Sequence, residues 1–271
     1  MHFASLLLTV CWACSLFPNP GKGEVMRGTS FSKCTGFFFK RKEPSGIVPN
    51  HSARICQSYK NRYHFATMYD RDLRIPLYSA YVFERNAGGC RSDEWLIEPQ
   101  LVNLSYSRNM EEERSSNIDK NKLEESQAVT ADYVPTSSTY DRGHLNPCSH
   151  QEEQDSKIAT FSLTNIVPQL NTLNQGKWRE YEEGLTAKTA GCKKVYVVVG
   201  VIPGKSKINN RVYVPSDIWS AVCCVIKKRT KTWAVIASNN ANKVNDINVT
   251  DLEKKIQSYT GRGVKLFPAM C

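Results

Sequence analysis

The sequence lacks acidic residues at its start and lacks a second long apolar run. No Asp or Glu precedes Glu24, and residues Phe3 to Phe17 are apolar apart from small hydroxyl side chains. This run is shorter than the roughly 20 apolar residues that cross a bilayer, but it has the length of a signal-peptide core. We therefore predict a signal peptide over residues 1–23; an N-terminal anchor is the alternative. Residues 24–271 are expected to be secreted and free of membrane contact.

Residues 24–271 contain no Cys-x-x-Cys pair, the spacing most typical of a structural zinc site. Eight of the ten cysteines lie in this range. An even number in an exported chain favours disulfide bonds, although the sequence does not choose the pairing. Adjacent Cys223 and Cys224 are expected to have different partners, because neighbours in a strand point to opposite faces. Three glycosylation sequons agree with export, and they begin at Asn50, Asn103 and Asn248.

No internal repeat and no Pro- or Ser-rich linker divides the chain, so we predict one domain over residues 24–271. Residues 105–126 are almost wholly polar, which favours a mobile surface insertion; a short exposed helix is the alternative. The predicted strands are mixed with a few helices, which indicates an α+β fold. Predicted strands cover 76–83, 195–202, 211–214, 219–226 and 232–237. Predicted helices cover 173–188 and a segment from Thr250, with a Thr250/Glu253 capping box, to Gly261.

Basic residues outnumber acidic ones by 36 to 26, a formal net charge of +10 that becomes +9 when Lys22 leaves with the signal peptide. A basic surplus favours a polyanionic partner but contains no information about the fold. The sequence has no helix-turn-helix, zinc-finger spacing or RNA-recognition signature. A nucleic acid partner would therefore be bound through its phosphate backbone, without sequence specificity.

A cluster of polar and charged residues runs from Tyr140 to Pro147 (Tyr-Asp-Arg-Gly-His-Leu-Asn-Pro). His144 suits a general base, because an imidazole can be held neutral near pH 7. Arg142 suits a phosphate, because its planar guanidinium matches phosphate oxygens. Gly143 permits close approach of the backbone to a ligand. Taken alone, the cluster is equally consistent with a polar loop.

A second group of candidates follows about twenty residues later and ends on the predicted helix. Asn174, Trp178 and Glu182 recur four residues apart, so we expect their side chains to lie along one side of that helix. Oxygen ligands of this kind suit a hard cation such as Mg²⁺, which keeps several waters and takes few protein ligands. The alternative is a core Trp178, an Asn174 helix cap and a solvated Glu182.

Together these two groups resemble a known family. Asp141-Arg142-Gly143-His144, followed at this distance by Asn165-Ile-Val-Pro-Gln, Leu173-Asn-Gln-Gly-Lys-Trp178 and Glu182, is similar to the DNA/RNA non-specific endonucleases with a ββα-metal core. Residues 65–81, 127–133 and 219–224 resemble the secreted vertebrate endonuclease-domain-containing proteins. The resemblance implies a mixed, largely antiparallel central sheet flanked by helices and stapled by disulfides.

The resemblance also implies roles for single residues. His144 matches the general base that deprotonates the attacking water. Asn174 matches the direct metal ligand, and Glu182 matches the acid that holds a metal-bound water. Arg142 and Asn165 match positions near the scissile phosphate. The implied cofactor is Mg²⁺, with Mn²⁺ or Ca²⁺ as substitutes, and the implied partner is DNA or RNA.

Two positions depart from the family pattern. Phe161 stands where relatives have an Asn, and Thr186 stands where relatives have an Arg. Arg74, Arg91 and Lys177 are therefore candidates for the missing phosphate contact. The departures also motivate an alternative function, a catalytically weak relative that acts as an extracellular nucleic-acid- or protein-binding module.

Overall fold

The computed structural model describes residues 24–85, 90, 92–269 and 271, and its centre is an eight-stranded sheet. The predicted signal peptide (residues 1–23) and Arg91 lie outside the described residues. Twelve strands are described: β1 (Glu24–Val25), β2 (Ser52–Tyr59), β3 (Arg62–Asp70), β4 (Ile75–Val82), β5 (Leu96–Ile97), β6 (Glu111–Glu112), β7 (Tyr140–His144), β8 (Ile166–Leu170), β9 (Lys194–Ile208), β10 (Val212–Ile226), β11 (Arg229–Ser238) and β12 (Asn245–Ile247). The sheet order is β1-β2-β3-β4-β9-β10-β11-β12, all pairs being antiparallel.

Seven α-helical segments accompany the strands in the described ranges: α1 (Pro99–Val102), α2 (Lys120–Ser126), α3 (Thr130–Tyr133), α4 (Gln154–Ala159), α5 (Asn171–Leu173), α6 (Arg179–Lys188) and α7 (Val249–Thr260). A π-turn, Asn174–Trp178, joins α5 to α6. Short 3₁₀ turns lie at Thr35–Phe37, Phe39–Arg41, Glu113–Ser115 and Cys148–His150. No helix of the described residues is both long and apolar enough to cross a membrane.

The central sheet separates two apolar cores because alternate side chains of a strand point to opposite faces. In β9, Val197 belongs to one core and Val198 to the other. The first core receives Leu173 and Trp178 from the interrupted helix, together with the β7–β8 pair. Burial of one large aliphatic or aromatic side chain contributes roughly 1.5–3 kcal/mol, so these contacts hold the helix against the sheet. The second core lies under α7.

Several element boundaries differ from the sequence predictions. The two strands predicted at 211–214 and 219–226 are one strand, β10, which changes register near Pro215 and continues. The helix predicted over 173–188 is helical from Asn171 but contains the π-turn. In the polar segment 105–126 the structure shows a helix, α2, with Leu123 buried beneath it. This agrees with the alternative of a short helix.

The start of α7 also differs. Its N-cap is Asn248, whose Oδ1 accepts a hydrogen bond from the Asp251 backbone N–H at 2.8 Å. The prediction of a Thr250/Glu253 capping box is wrong, because the Glu253 carboxylate instead accepts hydrogen bonds from the Leu266 backbone N–H and from Lys265 Nζ. The helix ends as predicted before Gly261, whose φ of 66° suits a residue without a Cβ.

Four disulfide bonds connect the eight cysteines of this range: Cys34–Cys56, Cys90–Cys148, Cys192–Cys224 and Cys223–Cys271. The expectation of separate partners for the two adjacent cysteines is confirmed. The bonds tie the N-terminal region, the helix-to-sheet connection after α6 and the C-terminal segment to the central sheet.

Candidate active site

The two candidate groups of the sequence meet in a β-hairpin followed by a helix. His144 ends β7, which pairs with β8 so that His144 lies opposite Ile166, and β8 leads directly into α5. The hairpin and the interrupted helix form a ββα unit on the first core. A cleft of about 430 Å³ opens beside it, with His144, Asn174, Arg179 and Glu182 in its lining.

The His144 ring has one nitrogen available for chemistry. Its hydrogen bond is to the backbone carbonyl of Arg142, and Nε2 has no partner among the described residues. A carbonyl acceptor fixes the proton on Nδ1 and leaves the Nε2 lone pair free. The ring lies 5.7 Å from Trp95 and 5.1 Å from Phe161, centroid to centroid. His144 is therefore held in the tautomer that a general base needs.

The same aromatic surroundings control the charge of His144. Burial lowers its pKa from 6.5 to about 4, and the hydrogen bond to Arg142 opposes this shift. Above this pH the ring is neutral in the free protein. Phe161, the predicted departure from the family pattern, is one of the apolar rings that pack against His144.

Asn174 is oriented by an acidic residue of β7. Asp141 Oδ2 accepts hydrogen bonds from Asn174 Nδ2 and from Gln175 Nε2, both at 2.9 Å. Because the amide nitrogen of Asn174 is engaged, its oxygen is the group left to face the cleft. The resemblance gave Asp141 no catalytic role; the structure shows that it fixes the Asn174 amide.

Glu182 lies on the same cleft and is attached to the core through Trp178. Trp178 is 1% exposed, and its Nε1 donates to Glu182 Oε1 at 3.0 Å. Burial raises the pKa of Glu182 to about 8, opposed by that hydrogen bond. A carboxyl group with such a pKa binds a cation in its ionised form, since a nearby positive charge lowers the pKa again. Trp178 is thus both a core residue and a positioning residue.

Two of the expected phosphate contacts are not in the cleft lining. Asn165 is fully buried, and its amide is saturated: Oδ1 accepts from Ser79 Oγ and the Asn146 backbone N–H, and Nδ2 donates to the carbonyls of Asn146 and Thr160, all within 2.9–3.0 Å. In this structure the Asn165 amide holds the segment that follows His144 and is not part of the cleft lining. Its role near the scissile phosphate stays a prediction.

Arg142, the other expected phosphate contact, lies in an aromatic cluster outside the cleft lining. Its guanidinium lies 5.0 Å from the Trp95 ring and 5.6 Å from the Tyr133 ring, and Nη2 donates weakly to the Thr130 carbonyl at 3.4 Å. Burial lowers its pKa. The long side chain turns into an aromatic cluster, because stacking there replaces hydration of its planar face. Arg142 supports Trp95, which in turn packs on His144.

The other cationic candidates also lie elsewhere. Arg74 donates to the Glu124 carbonyl, and Lys177 pairs with Glu180 at the surface. Arg91 lies outside the described residues. Arg179, which the sequence reasoning missed, does line the cleft, and it pairs with Glu183 at 2.7 Å. Its position three residues before Glu182, on the same helix face, is the signal that identifies it.

His150 links the central sheet to α6 and gives a pH-dependent contribution to stability. It accepts from Tyr81 Oη at 2.9 Å and donates to the Glu182 carbonyl at 3.1 Å. Burial lowers its pKa to about 4, whereas an unfolded histidine titrates near 6.5. Unfolding therefore takes up a proton between these values. The stabilisation is complete above pH 6.5 and is lost as the pH falls toward 4, by at most roughly 3 kcal/mol.

We expect His150→Gln to make the free energy of unfolding less dependent on pH between 6.5 and 4. Urea denaturation of both proteins at several pH values across this window measures the difference. His51→Gln is the matched control, because the His51 side chain is exposed and pairs with Asp72 at the surface. Equal pH dependence in wild type and His150→Gln would contradict the assignment.

A family model of the DNA/RNA non-specific endonucleases matches residues 45–267, which include the ββα unit and the cleft. The chain therefore belongs to the DNA/RNA non-specific endonuclease family. The resemblance inferred from Asp141–His144 and the following segment is confirmed.

Two individual relatives show how much of the chain is similar to known proteins. The chain is 32% identical over 243 residues to the human Endonuclease domain-containing 1 protein, an alignment that covers 86% of this chain and 46% of that protein. It is 38% identical over 74 residues to human mitochondrial Endonuclease G, covering 27% of this chain and 24% of the other. The chain thus spans less than half the length of these relatives.

A solved structure supports the fold. A chain of the crystal structure of the EndoG/EndoGI complex superimposes with a TM-score of 0.56 at 16% identity, covering 88% of this chain and 91% of that chain. Likeness at this identity shows the fold alone. It confirms the predicted α+β fold with a ββα-metal nuclease core.

Proposed function

We propose that this protein is a secreted, metal-dependent endonuclease that hydrolyses phosphodiester bonds of DNA or RNA without sequence specificity. The observation that carries the proposal is the position of His144, whose buried Nε2 has no partner among the described residues, in the lining of the cleft that Asn174 and Glu182 also line. A base and two oxygen ligands at one cleft suit hydrolysis of a phosphate diester. Family membership supports the same reaction class.

His144 would take a proton from the attacking water. In the free protein its pKa of about 4 makes it neutral but weakly basic. A bound phosphodiester places a negative charge near the ring, and a negative neighbour raises the pKa of an imidazole. Substrate binding would therefore strengthen the base at the moment it is required.

Asn174 and Glu182 fit a Mg²⁺ ion. The Asn174 amide presents its oxygen because Asp141 holds its nitrogen, and the Glu182 carboxylate lines the same cleft. Within the described ranges no three His, Cys, Asp or Glu side chains cluster as metal ligands. A site of one direct ligand and one water-mediated ligand suits Mg²⁺, with Mn²⁺ or Ca²⁺ as substitutes. When bound, the ion would neutralise charge that develops on the phosphate oxygens.

Arg179 is the proposed phosphate contact of the cleft. Its side chain is 67% exposed and can exchange its surface pairing with Glu183 for a phosphate. An exposed ion pair contributes little stability, so this exchange costs little. Arg179 thus replaces the family arginine that is absent at Thr186.

Secretion is supported by several features together. All eight cysteines of residues 24–271 are paired, which is typical of an oxidising compartment. The sequon asparagines Asn50, Asn103 and Asn248 are all exposed. These positions can therefore accept glycans without disturbing a core.

The proposal is tested by incubating purified protein with plasmid DNA and total RNA. We expect cleavage with Mg²⁺, no cleavage with EDTA, and recovery when Mg²⁺ is added in excess over EDTA. Gel electrophoresis distinguishes smearing from shifted bands. Binding without cleavage in Mg²⁺ would support the alternative of a catalytically weak binding module. The observation that favours this alternative is the packing of the Phe161 ring against the His144 ring.

A further inference from the structure

The loop that follows β11, residues 239–242 (Asn-Asn-Ala-Asn), contacts the segment that carries Asn174. Asn239 is 6% exposed and closes the end of β8. Its Nδ2 donates to the carbonyls of Pro168 and Pro215 at 3.0 and 3.1 Å, and its Oδ1 accepts from the Leu170 backbone at 2.8 Å. The strand that leads into the interrupted helix is therefore fixed to β10.

Asn242 contacts the π-turn itself. Its Oδ1 accepts a hydrogen bond from the Lys177 backbone N–H at 2.7 Å. The neighbouring Gly176 leaves the helical conformation (φ −106°, ψ −115°), and a Cβ on Gly176 would lie 2.6 Å from the Asn242 amide. The amide of Asn242 thus occupies the space beside Gly176 and satisfies a donor that the interruption releases from the regular helical pattern.

The π-turn determines how Asn174 and Glu182 are placed relative to each other. In a regular helix of 3.6 residues per turn, residues eight apart differ by about 80° around the axis. The interruption at Gly176, whose φ and ψ are not helical, separates the turn that carries Asn174 from the helix that carries Glu182, so its geometry sets the angle between the two side chains. In this geometry both residues line the cleft.

We propose that Asn242 is a positioning residue for the metal site: it stabilises the π-turn and thereby keeps Asn174 and Glu182 directed at one ion. The proposal rests on the proposed metal-dependent nuclease function. It assigns no contact between Asn242 and substrate or metal. Its consequence is that a change 68 residues after Asn174 alters metal affinity.

The test uses Asn242→Ala in the full disulfide-bonded protein. We expect Mn²⁺ binding without nucleic acid, measured by electron paramagnetic resonance, to weaken by about tenfold, the lower end of what loss of an outer-shell contact costs. Cleavage should require correspondingly more Mg²⁺, while the KM for nucleic acid stays near wild type. Asn242→Asp retains an oxygen that accepts from Lys177 N–H and should bind Mn²⁺ like wild type.

Asn240→Ala is the matched control, since Asn240 is an exposed residue of the same type in the same loop. Asn242 is also exposed, so alanine should leave the melting temperature close to that of wild type; Asn242→Ser provides a second variant if it does not. Wild-type Mn²⁺ affinity in folded Asn242→Ala or Asn242→Ser would overturn the proposal. If wild type cleaves no nucleic acid but binds Mn²⁺ more tightly than Asn242→Ala, the positioning role stands and the nuclease proposal fails.

Discussion

Alanine at position 144 is expected to lower the rate of phosphodiester cleavage by about 10²–10⁴-fold, the usual contribution of a positioned general base. His144 lines the cleft and its buried Nε2 has no partner among the described residues, so alanine removes the group proposed to accept the proton from water. Initial rates of plasmid nicking with Mg²⁺, compared at equal protein concentration, give the magnitude. The KM for DNA should change little, because the ring is proposed to act on water rather than to hold the strand.

The control for this variant must separate chemistry from packing. His144 also contacts Trp95 and Phe161, so its loss leaves space in an aromatic cluster. A thermal melt and near-ultraviolet circular dichroism show whether the variant is folded. His51→Ala removes an exposed histidine and should retain wild-type nicking. Retained plasmid cleavage by folded His144→Ala would rule out His144 as the base.

Asn174→Ala is expected to reduce cleavage by roughly 10–100-fold at limiting Mg²⁺ and to recover partly as Mg²⁺ is raised. The reason is that Asn174 is proposed as the direct protein ligand, so its removal weakens metal affinity more than it changes the reacting groups. His144 and Glu182 remain in place. A titration of initial rate against MgCl₂ gives the concentration for half-maximal activity, which should increase.

Asn171→Ala is a matched control for this prediction. Asn171 lies on the same helical segment three residues earlier, but its amide donates to the Ser138 carbonyl and is not in the cleft lining. It should show the Mg²⁺ dependence of wild type. If Asn174→Ala showed that same dependence, Asn174 would not be the ligand.

The secondary structure around the site could be predicted because its local signals are strong. The four-residue spacing of Asn174, Trp178 and Glu182 predicts the helix. The apolar runs of β9 and β10 predict strands whose alternate side chains are buried on opposite faces of the sheet. The ordered motifs then identified the ββα unit. The adjacent cysteines could be assigned to opposite faces by the same alternation.

The roles of Asn165 and Arg142 could not be predicted because they depend on contacts remote in sequence. The donors and acceptors that saturate Asn165 include Ser79, 86 residues away. Arg142 is withdrawn from the cleft by Trp95, 47 residues earlier, which no spacing rule connects to it. A polar residue type at a family position specifies a capacity for hydrogen bonding but not its partner.

The π-turn is the clearest case of a tertiary effect on a local element. A regular helix over 173–188 satisfies the sequence pattern, whereas the actual helix is interrupted at Gly176, beside Asn242. The N-cap of α7 was predicted at the wrong residue for a different reason. Asn248 and Thr250 are both favourable cap residues two positions apart, and local preference does not choose between them.

The Cys90–Cys148 disulfide bond forms part of the wall of the cleft, so the complete cleft requires an oxidising environment. Both half-cystines lie in the cleft lining, and they join segments 58 residues apart. In a chain-entropy description, closing a loop of this length restrains the unfolded chain by about 4 kcal/mol. Part of the cleft wall around His144 is therefore held by a disulfide bond rather than by side-chain packing. Reduced glutathione in the surroundings would act on the shape of the candidate cleft, so that its assembly is tied to the thiol chemistry of the compartment.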